Sequence, residues 1–184
     1  MTLSSCGILL RTKISWSLLG ALLLAGCQAG AQERRSPPPT PSQTEAQGDF
    51  VFVDKSERLL FVFKDGKEVK RFSNIRFGDA PKGHKQFEGD EKTPEGDYII
   101  DSRNPGSRYH LSLHINYPNK TDRNFAASKG KSPGGDIFIH GQPNGHNGPT
   151  IASDWTDGCI ALSNAEIQKL WAMIADGTPI RIQP

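Results

Sequence analysis

The sequence reads Thr156-Asp157-Gly158-Cys159-Ile160-Ala161-Leu162-Ser163 at the point where a tight turn leads into a helix. The glycine before Cys159 allows a turn conformation that other residues rarely adopt, and it lets the backbone approach a substrate closely. Backbone N–H groups in such a turn can point at a developing oxyanion, and one donor of this kind contributes ~10²–10³ in rate. The stretch therefore predicts a nucleophilic cysteine on a turn before a helix.

The helix that follows has clear start and stop signals. Ser163 and Glu166 form the S-x-x-E pattern of a capping box, in which each side chain satisfies a backbone N–H at the helix start. Gly177 is typical of the position just after a helix end, and 178–182 is predicted to be a strand. Apolar residues recur at helical spacing in between, which predicts one buried stripe: Ile167, Leu170, Trp171 and Ile174.

The chain before the cysteine consists mainly of short segments typical of strands. The segment 109–117 alternates between apolar and polar side chains, as a strand with one buried face does. With the last strand included, the predicted strands are 50–54, 58–64, 67–77, 97–101, 109–117, 136–139 and 178–182. We therefore predict a mainly β domain with one principal helix after Cys159.

A cysteine nucleophile needs a partner, because a thiol with its ordinary pKa of ~8.5 is only a few per cent ionised at neutral pH. His140 stands at the end of a predicted strand and is followed by Gly141, so it is the natural candidate for the base. If His140 activates the thiol, we expect the pKa of Cys159 to lie below ~8.5.

Several alternatives stay open at this point. Cys159 could be a plain buried thiol and His140 a packed histidine at a strand end. Zinc could be bound by Cys159, His140 and His146, although no closely spaced ligand pair supports this. On the strand 109–117, His110 and His114 would lie ~13 Å apart on one polar face, which is either solvated or lines a groove.

The two chemical motifs together resemble a known family. Ile139-His140-Gly141, followed by Thr156-Asp157-Gly158-Cys159-Ile160, is similar to the H-G…[S/T]-x-G-C-[I/V] signature of the L,D-transpeptidase catalytic domain, also called the YkuD domain. The segment 89–98 resembles the family's G-x-x-x-T-P-x-G-x-[Y/F] motif. The resemblance implies a β-sandwich with Cys159 as nucleophile and His140 as general acid and base. It implies no metal or organic cofactor.

The resemblance also implies roles for the surrounding residues. Gly158, Thr156 and Gly141 would form the loops around the oxyanion. Apart from the resemblance, we predict that His114, Trp155 and Asp157 line the substrate groove, and packing within the loop is the alternative for Trp155. The run Asp154-Trp155-Thr156-x-Gly158-Cys159-Ile160-Ala161 looks like that of a distinct lipoprotein subgroup, because many members have His at position 157 and Arg at position 161.

The implied reaction is acyl transfer on peptidoglycan. Cys159 would form a thioester with a stem peptide and pass it to an amine, which includes an amine of a cell-wall-attached protein. A hydrolase that resolves the same thioester with water, such as an L,D-carboxypeptidase or an amidase, is an alternative that Ala161 favours. A non-catalytic, lipid-tethered peptidoglycan-binding protein is the alternative from another class.

The N-terminal part has the features of an exported lipoprotein. Residues 1–26 read as a signal peptide, and Leu24-Ala25-Gly26-Cys27 resembles the bacterial lipobox, which implies lipidation of Cys27. The alternative is an ordinary signal peptide cut near Ala29 or Ala31. Residues 27–47 are rich in proline and polar side chains, which predicts an extended tether before the catalytic domain at 48–184.

Composition and charge agree with an envelope protein. Without the two basic residues of the signal peptide, 20 Lys and Arg balance 20 Asp and Glu, so no basic surface for nucleic acid is expected. Cys159 is the single cysteine after residue 27. We expect a lipid-anchored protein at the periplasmic face of the envelope, and Gln28 after Cys27 favours the outer membrane.

Overall fold

The computed structural model describes residues 48–184, which form eight strands and two helices. In chain order they are β1 (Phe50–Asp54), β2 (Leu59–Lys64), β3 (Lys67–Ser73), β4 (Gly96–Asn104), β5 (Ser112–Ile115), α1 (Lys120–Ser128), β6 (Ile137–His140), β7 (Ile160–Ala161), α2 (Asn164–Met173) and β8 (Thr178–Gln183). The predicted signal peptide, the lipidation site Cys27 and the tether lie outside the described residues.

All eight strands belong to one hydrogen-bonded order, β3-β2-β1-β8-β4-β5-β6-β7. The last strand, β8, lies between β1, to which it is parallel, and β4, to which it is antiparallel. At one end of the order, β6 and β7 run parallel, with Ile139 opposite Ile160 and His140 opposite Ala161. The prediction of a mainly β domain is confirmed.

The core is built from alternate residues of the strands. In β1, Val51 and Val53 are buried while Phe50 and Phe52 are partly exposed, which is the period of two that a sheet with one inner face requires. The predicted cap of α2 is present, because the Ser163 hydroxyl accepts from the backbone N–H of Glu166. The helix packs its apolar stripe into the same core, with Ile167, Leu170, Trp171 and Met173 buried.

Two predicted strand boundaries were wrong. Strand β3 ends at Ser73 rather than continuing to residue 77, because Asn74 adopts a left-handed conformation with φ of 57°. Strand β5 begins at Ser112, because His110 has φ of 69° and turns the chain before the ladder. His110 and His114 therefore do not share a strand face.

A second helix, α1, was not predicted. Asn119 caps it and forms a capping box with Asp122, but only Asp122 and Ala126 of the helix are buried. The helix thus has a start signal without an apolar stripe. Neither helix described within residues 48–184 is long and apolar enough to cross a membrane.

The register of β5, β6 and β7 determines which side chains lie on the same face of the sheet as Cys159. Side chains of successive strand residues point to opposite faces, so the buried Ile139 and Ile160 face the core. Phe138, His140 and Cys159 consequently project from the other face, together with Ser112 of the neighbouring strand β5.

Candidate active site

The sulfur of Cys159 lies directly before β7, against the backbone of β6. The Phe138 N–H donates to Sγ at 3.3 Å, and Sγ–H donates to the Asp136 carbonyl at 3.5 Å. The thiol is partly exposed, so a substrate can reach it. Because Ile160 begins a parallel ladder with β6, the position of Cys159 is set by the sheet as well as by its own loop.

Thr156 stabilises the turn before Cys159 through two hydrogen bonds of its hydroxyl group. Its hydroxyl donates to the Cys159 carbonyl at 2.8 Å and accepts from the Gly158 N–H at 3.2 Å. The Gly158 N–H is therefore committed to the turn. The expected role of Gly158 at the oxyanion is thus reduced to its backbone conformation, which shapes the turn that carries Cys159.

Gly158 also permits a close approach to the upstream T-P-x-G segment. Its φ is +119°, and a Cβ at this position would lie 2.4 Å from the Lys92 carbonyl oxygen, so no other residue fits without moving backbone. The hydroxyl of Thr93, which is fully buried, donates to the Gly158 carbonyl at 2.8 Å. The T-P-x-G segment and the motif that contains Cys159 are thus in direct contact.

Asp154 fixes the start of the same loop. Its carboxylate accepts from both terminal nitrogens of the Arg58 guanidinium, each at 2.7 Å, and from the Phe77 N–H at 3.0 Å. The Phe77 carbonyl in turn accepts from the N–H groups of Trp155 and Thr156. No local sequence pattern predicts this role of Arg58, since Arg58 lies 96 residues from Asp154.

His140 is buried at the end of β6, with 3% of its surface exposed. Its Nδ1 lies 2.7 Å from the Gly141 carbonyl oxygen, which identifies Nδ1 as the donor and leaves Nε2 as the basic nitrogen. Gly141 is needed here, because a Cβ would lie 2.6 Å from Oδ1 of Asn164. Its N–H donates to the carbonyls of Tyr109 and Leu111.

The imidazole of His140 contacts two aromatic rings, those of Tyr109 and Trp155. Tyr109 stacks on the His140 ring at 4.6 Å between centroids, and Trp155 meets that ring nearly perpendicularly at 5.4 Å. Tyr109 and Trp155 also contact each other at 5.7 Å. Trp155 was expected to line the groove, whereas Tyr109 was not expected to contribute to the site.

The electrostatics of the site favour a neutral pair. Burial raises the pKa of the Cys159 thiol to about 11, opposed by the Phe138 N–H and reinforced by the negative charge of Asp157. Burial lowers the pKa of His140, although its bond to the Gly141 carbonyl acts the other way. The expectation that the pKa of Cys159 lies below its ordinary value was therefore wrong, because desolvation outweighs the stabilisation of the thiolate.

Cys159 and His140 line one cavity of about 560 Å³. Trp155, Thr156 and Asp157 line it too, so most of the predicted site residues are brought together. The rest of the lining is Asn104, Gly106, Ser107, Arg108, Tyr109, Ser112, Gly135, Asp136, Ile137 and Phe138. Among these residues Arg108 supplies a fixed positive charge, while Asp136 and Asp157 supply negative charge near the thiol.

The other four histidines lie outside this cavity lining, and one of them, His84, pairs with Asp122. His114 bonds Asp101 at 2.6 Å and packs its ring against Phe138, which itself lines the cavity, so the place of His114 in a substrate groove stays a prediction. His110 contacts Gln168 of α2, and His146 contacts the Pro149 carbonyl at 2.7 Å. Within residues 48–184 no group of three or more His, Cys, Asp or Glu side chains is arranged to hold a metal ion.

The sequence as a whole matches the family described as YkuD, L,D-transpeptidase catalytic domain, over residues 48–182. The chain belongs to this family. The match covers every described element from β1 to most of β8, and it includes both Cys159 and His140. The residues that line the cavity with Cys159 and His140 therefore all lie within the matched L,D-transpeptidase domain.

Three relatives illustrate the similarity. The putative L,D-transpeptidase YafK of Escherichia coli strain K12 is 26% identical over 170 residues, which cover 86% of this chain and 63% of that protein. Pgp2, the helical cell shape determining protein of Campylobacter jejuni, is 30% identical with a TM-score of 0.59, over 76% of this chain and 48% of that chain. Bd1075 of Bdellovibrio bacteriovorus is 27% identical with a TM-score of 0.52, over 80% of this chain and 52% of that chain.

This chain spans less than two thirds of the length of each of these L,D-transpeptidase relatives. What is shared is the catalytic domain. The roles of the whole relatives do not follow from it.

Proposed function

We propose that this protein is a cysteine acyltransferase of the L,D-transpeptidase type, which forms a thioester between Cys159 and a peptidoglycan stem peptide and transfers the acyl group to an amine. The observation that carries the proposal is the placement of His140 at the end of β6 and of Cys159 directly before β7, the parallel neighbour of β6, so that both side chains line one cavity. Membership of the L,D-transpeptidase catalytic domain family supports this class of reaction.

The first half of the reaction makes the thioester. Because both groups rest in their neutral forms, Nε2 of His140 takes the thiol proton as Sγ attacks the peptide carbonyl. The tetrahedral intermediate collapses when the carbon–nitrogen bond breaks and the leaving amine takes the proton from Nε2. By the family resemblance, the carbonyl belongs to the third, diamino-acid residue of a tetrapeptide stem, and D-alanine leaves.

The second half releases the acyl group. An amine attacks the thioester carbonyl and gives a proton to Nε2 of His140, and the carbon–sulfur bond then breaks. The departing thiolate takes that proton back. The site returns to the neutral pair with which the reaction began.

Hydrolysis of the same thioester is a second candidate function. Ala161 favours it, because this position carries a short, buried side chain where many family members have an arginine. Because position 161 is alanine, this chain has no cation there to help hold a peptide substrate. Water then takes the place of the acceptor amine, and the products are those of a carboxypeptidase or an amidase.

The remaining parts of the proposal concern location. We propose that Cys27 carries a lipid anchor, that residues 27–47 tether the catalytic domain, and that the protein faces the periplasm from the outer membrane. The lipobox-like sequence and Gln28 support this. A peptidoglycan-attached protein would then be within reach as an acyl acceptor or a substrate.

The test is mass spectrometry of muropeptides incubated with the purified protein. A tetrapeptide donor with a second stem as amine acceptor should give a cross-linked product if transfer dominates. A tripeptide alone would establish hydrolysis. Unchanged muropeptides with every donor would contradict both enzymatic functions and favour a peptidoglycan-binding protein.

A further inference from the structure

The His140 imidazole is enclosed by two aromatic side chains that come from different parts of the chain. Tyr109 covers one face of the ring at 4.6 Å with an interplanar angle of 30°, and Trp155 stands at 65° to it at 5.4 Å. The two aromatic rings touch each other, so together they form a continuous wall on the cavity side. We call Tyr109 and Trp155 the aromatic clamp.

Each half of the aromatic clamp is fixed through its backbone. The carbonyl of Tyr109 accepts from the Gly141 N–H at 3.0 Å, and the N–H of Tyr109 donates to the Ser107 hydroxyl at 3.0 Å. The N–H of Trp155 donates to the Phe77 carbonyl at 3.0 Å. Both rings are therefore held by the sheet and loop framework rather than by polar groups of their own.

The indole of Trp155 supports a role beyond filling space. Its Nε1–H is buried and makes no hydrogen bond among the described residues. Burying a donor without a partner is unfavourable, so an ordinary packing site would favour phenylalanine or leucine. The ring is placed where it contacts His140 instead of where its N–H finds a partner.

We propose that Tyr109 and Trp155 are positioning residues that hold the imidazole of His140 as a neutral, oriented base facing Cys159. The inference rests on the proposed function, in which Nε2 takes the thiol proton. The Gly141 carbonyl fixes Nδ1 as the protonated nitrogen, and the aromatic clamp fixes the plane of the ring and keeps water from it. Neither residue needs to exchange a proton.

Within residues 48–184, no titratable group near the His140 imidazole is bonded to it in a way that would fix the orientation of the ring. On the cavity side the titratable groups are Cys159, Asp136, Asp157 and Arg108, all of which line the open space. His110 lies near Gly141, the residue that follows His140. On α2, Glu166 is bound to the hydroxyl of the cap residue Ser163. The described structure shows no carboxylate bonded to either ring nitrogen of His140. Orientation therefore falls to the Gly141 carbonyl and to the aromatic clamp.

The first part of the test is an NMR titration of the His140 ring in the full-length protein without substrate, with His140→Gln to assign the signal. In wild type the midpoint lies below the ordinary value of 6.5, because burial disfavours the imidazolium. We expect Tyr109→Leu and Trp155→Leu to raise that midpoint, since each lets water reach the ring. Tyr109→Phe and Trp155→Phe keep an aromatic ring and should stay close to wild type.

The second part is the pH dependence of acyl transfer. The acid limb of the rate profile should move to higher pH in the leucine variants, and kcat should fall about 10- to 100-fold as the base loses its orientation. KM should change less than kcat. Phe87→Leu is the control, because Phe87 stacks on Phe125 and does not line the cavity.

The outcomes separate this inference from the proposed function. If the midpoint of His140 is the same in wild type and in both folded leucine variants, the aromatic clamp does not control the base. If Phe87→Leu raises the midpoint as much, the effect is a general loss of stability and the inference is wrong. Because the titration needs no substrate, it remains decisive even if muropeptides are not turned over.

Discussion

Replacing Thr93 with valine tests whether the T-P-x-G segment holds the nucleophile in place. The Thr93 hydroxyl donates to the Gly158 carbonyl at 2.8 Å, and Thr93 is fully buried. Valine has nearly the same shape and lacks the donor, so Thr93→Val leaves a buried carbonyl without this partner and creates almost no cavity.

The expected magnitude follows from that single bond. Leaving a buried acceptor unsatisfied costs ~1–3 kcal/mol of the free energy of unfolding. The loss falls one residue from Cys159, in a turn that packs so closely on Lys92 that only glycine fits at position 158. A shift of the sulfur by a fraction of an ångström should slow acylation of Cys159 by about 10- to 100-fold.

The assay pairs two measurements on one preparation. Urea unfolding gives the change in stability, and the rate of thioester formation gives the change in the site. Thr178→Val is the matched control, because the Thr178 hydroxyl donates to the Ala175 carbonyl at 2.7 Å and belongs to β8. The control should lose stability without slowing acylation. Equal acylation rates in Thr93→Val and wild type would refute the reasoning.

Three further predictions concern the helix cap, the anchor and the loop ion pair. Ser163→Ala should lower the free energy of unfolding by ~1 kcal/mol, since the α2 cap is lost; unchanged stability in urea would contradict the capping role. Cys27→Ser should yield a protein without the mass of a lipid, and a variant that still partitions into detergent like wild type would rule out the lipoprotein assignment. Burial raises the pKa of Asp154, but the Arg58 guanidinium and the Phe77 N–H lower it more, so the net pKa falls below 3.8. The ionised Asp154 therefore stabilises the folded protein above pH 3.8, and this stabilisation is lost as the pH falls through the lower, folded-state pKa. The difference in the free energy of unfolding between wild type and Arg58→Met should shrink in acid. A difference that stays constant with pH would argue against this ion pair.

Local signals in the sequence predicted the parts of the fold that depend on neighbours along the chain. The Ser163 and Glu166 capping box and the apolar stripe after it predicted α2, and both are present. Helix α1 has the same kind of start, with Asn119 and Asp122, but no apolar stripe follows. Its capping box was readable from the sequence, whereas its packing was not.

The features of the candidate site that depend on short motifs were predicted from the sequence, and those that depend on contacts between distant residues were not. The turn around Cys159 and the histidine at the end of β6 were predicted from short motifs, because glycine and strand-end positions have local meaning. Thr93 is 65 residues from Gly158, and the contact between them could not be read from either motif alone. The pKa of the thiol was predicted in the wrong direction, because burial is a property of the folded chain.

The central claim is that Cys159 forms a covalent acyl intermediate, and intact-protein mass spectrometry tests it most directly. Wild-type protein and Cys159→Ala are incubated with a stem tetrapeptide and, separately, with a carbapenem, whose strained cyclic amide acylates a thiol. The account predicts a mass increase of one acyl group on wild type, mapped to the peptide that contains Cys159, and none on Cys159→Ala. An equal adduct on both proteins, or turnover of muropeptides by Cys159→Ala, would contradict it.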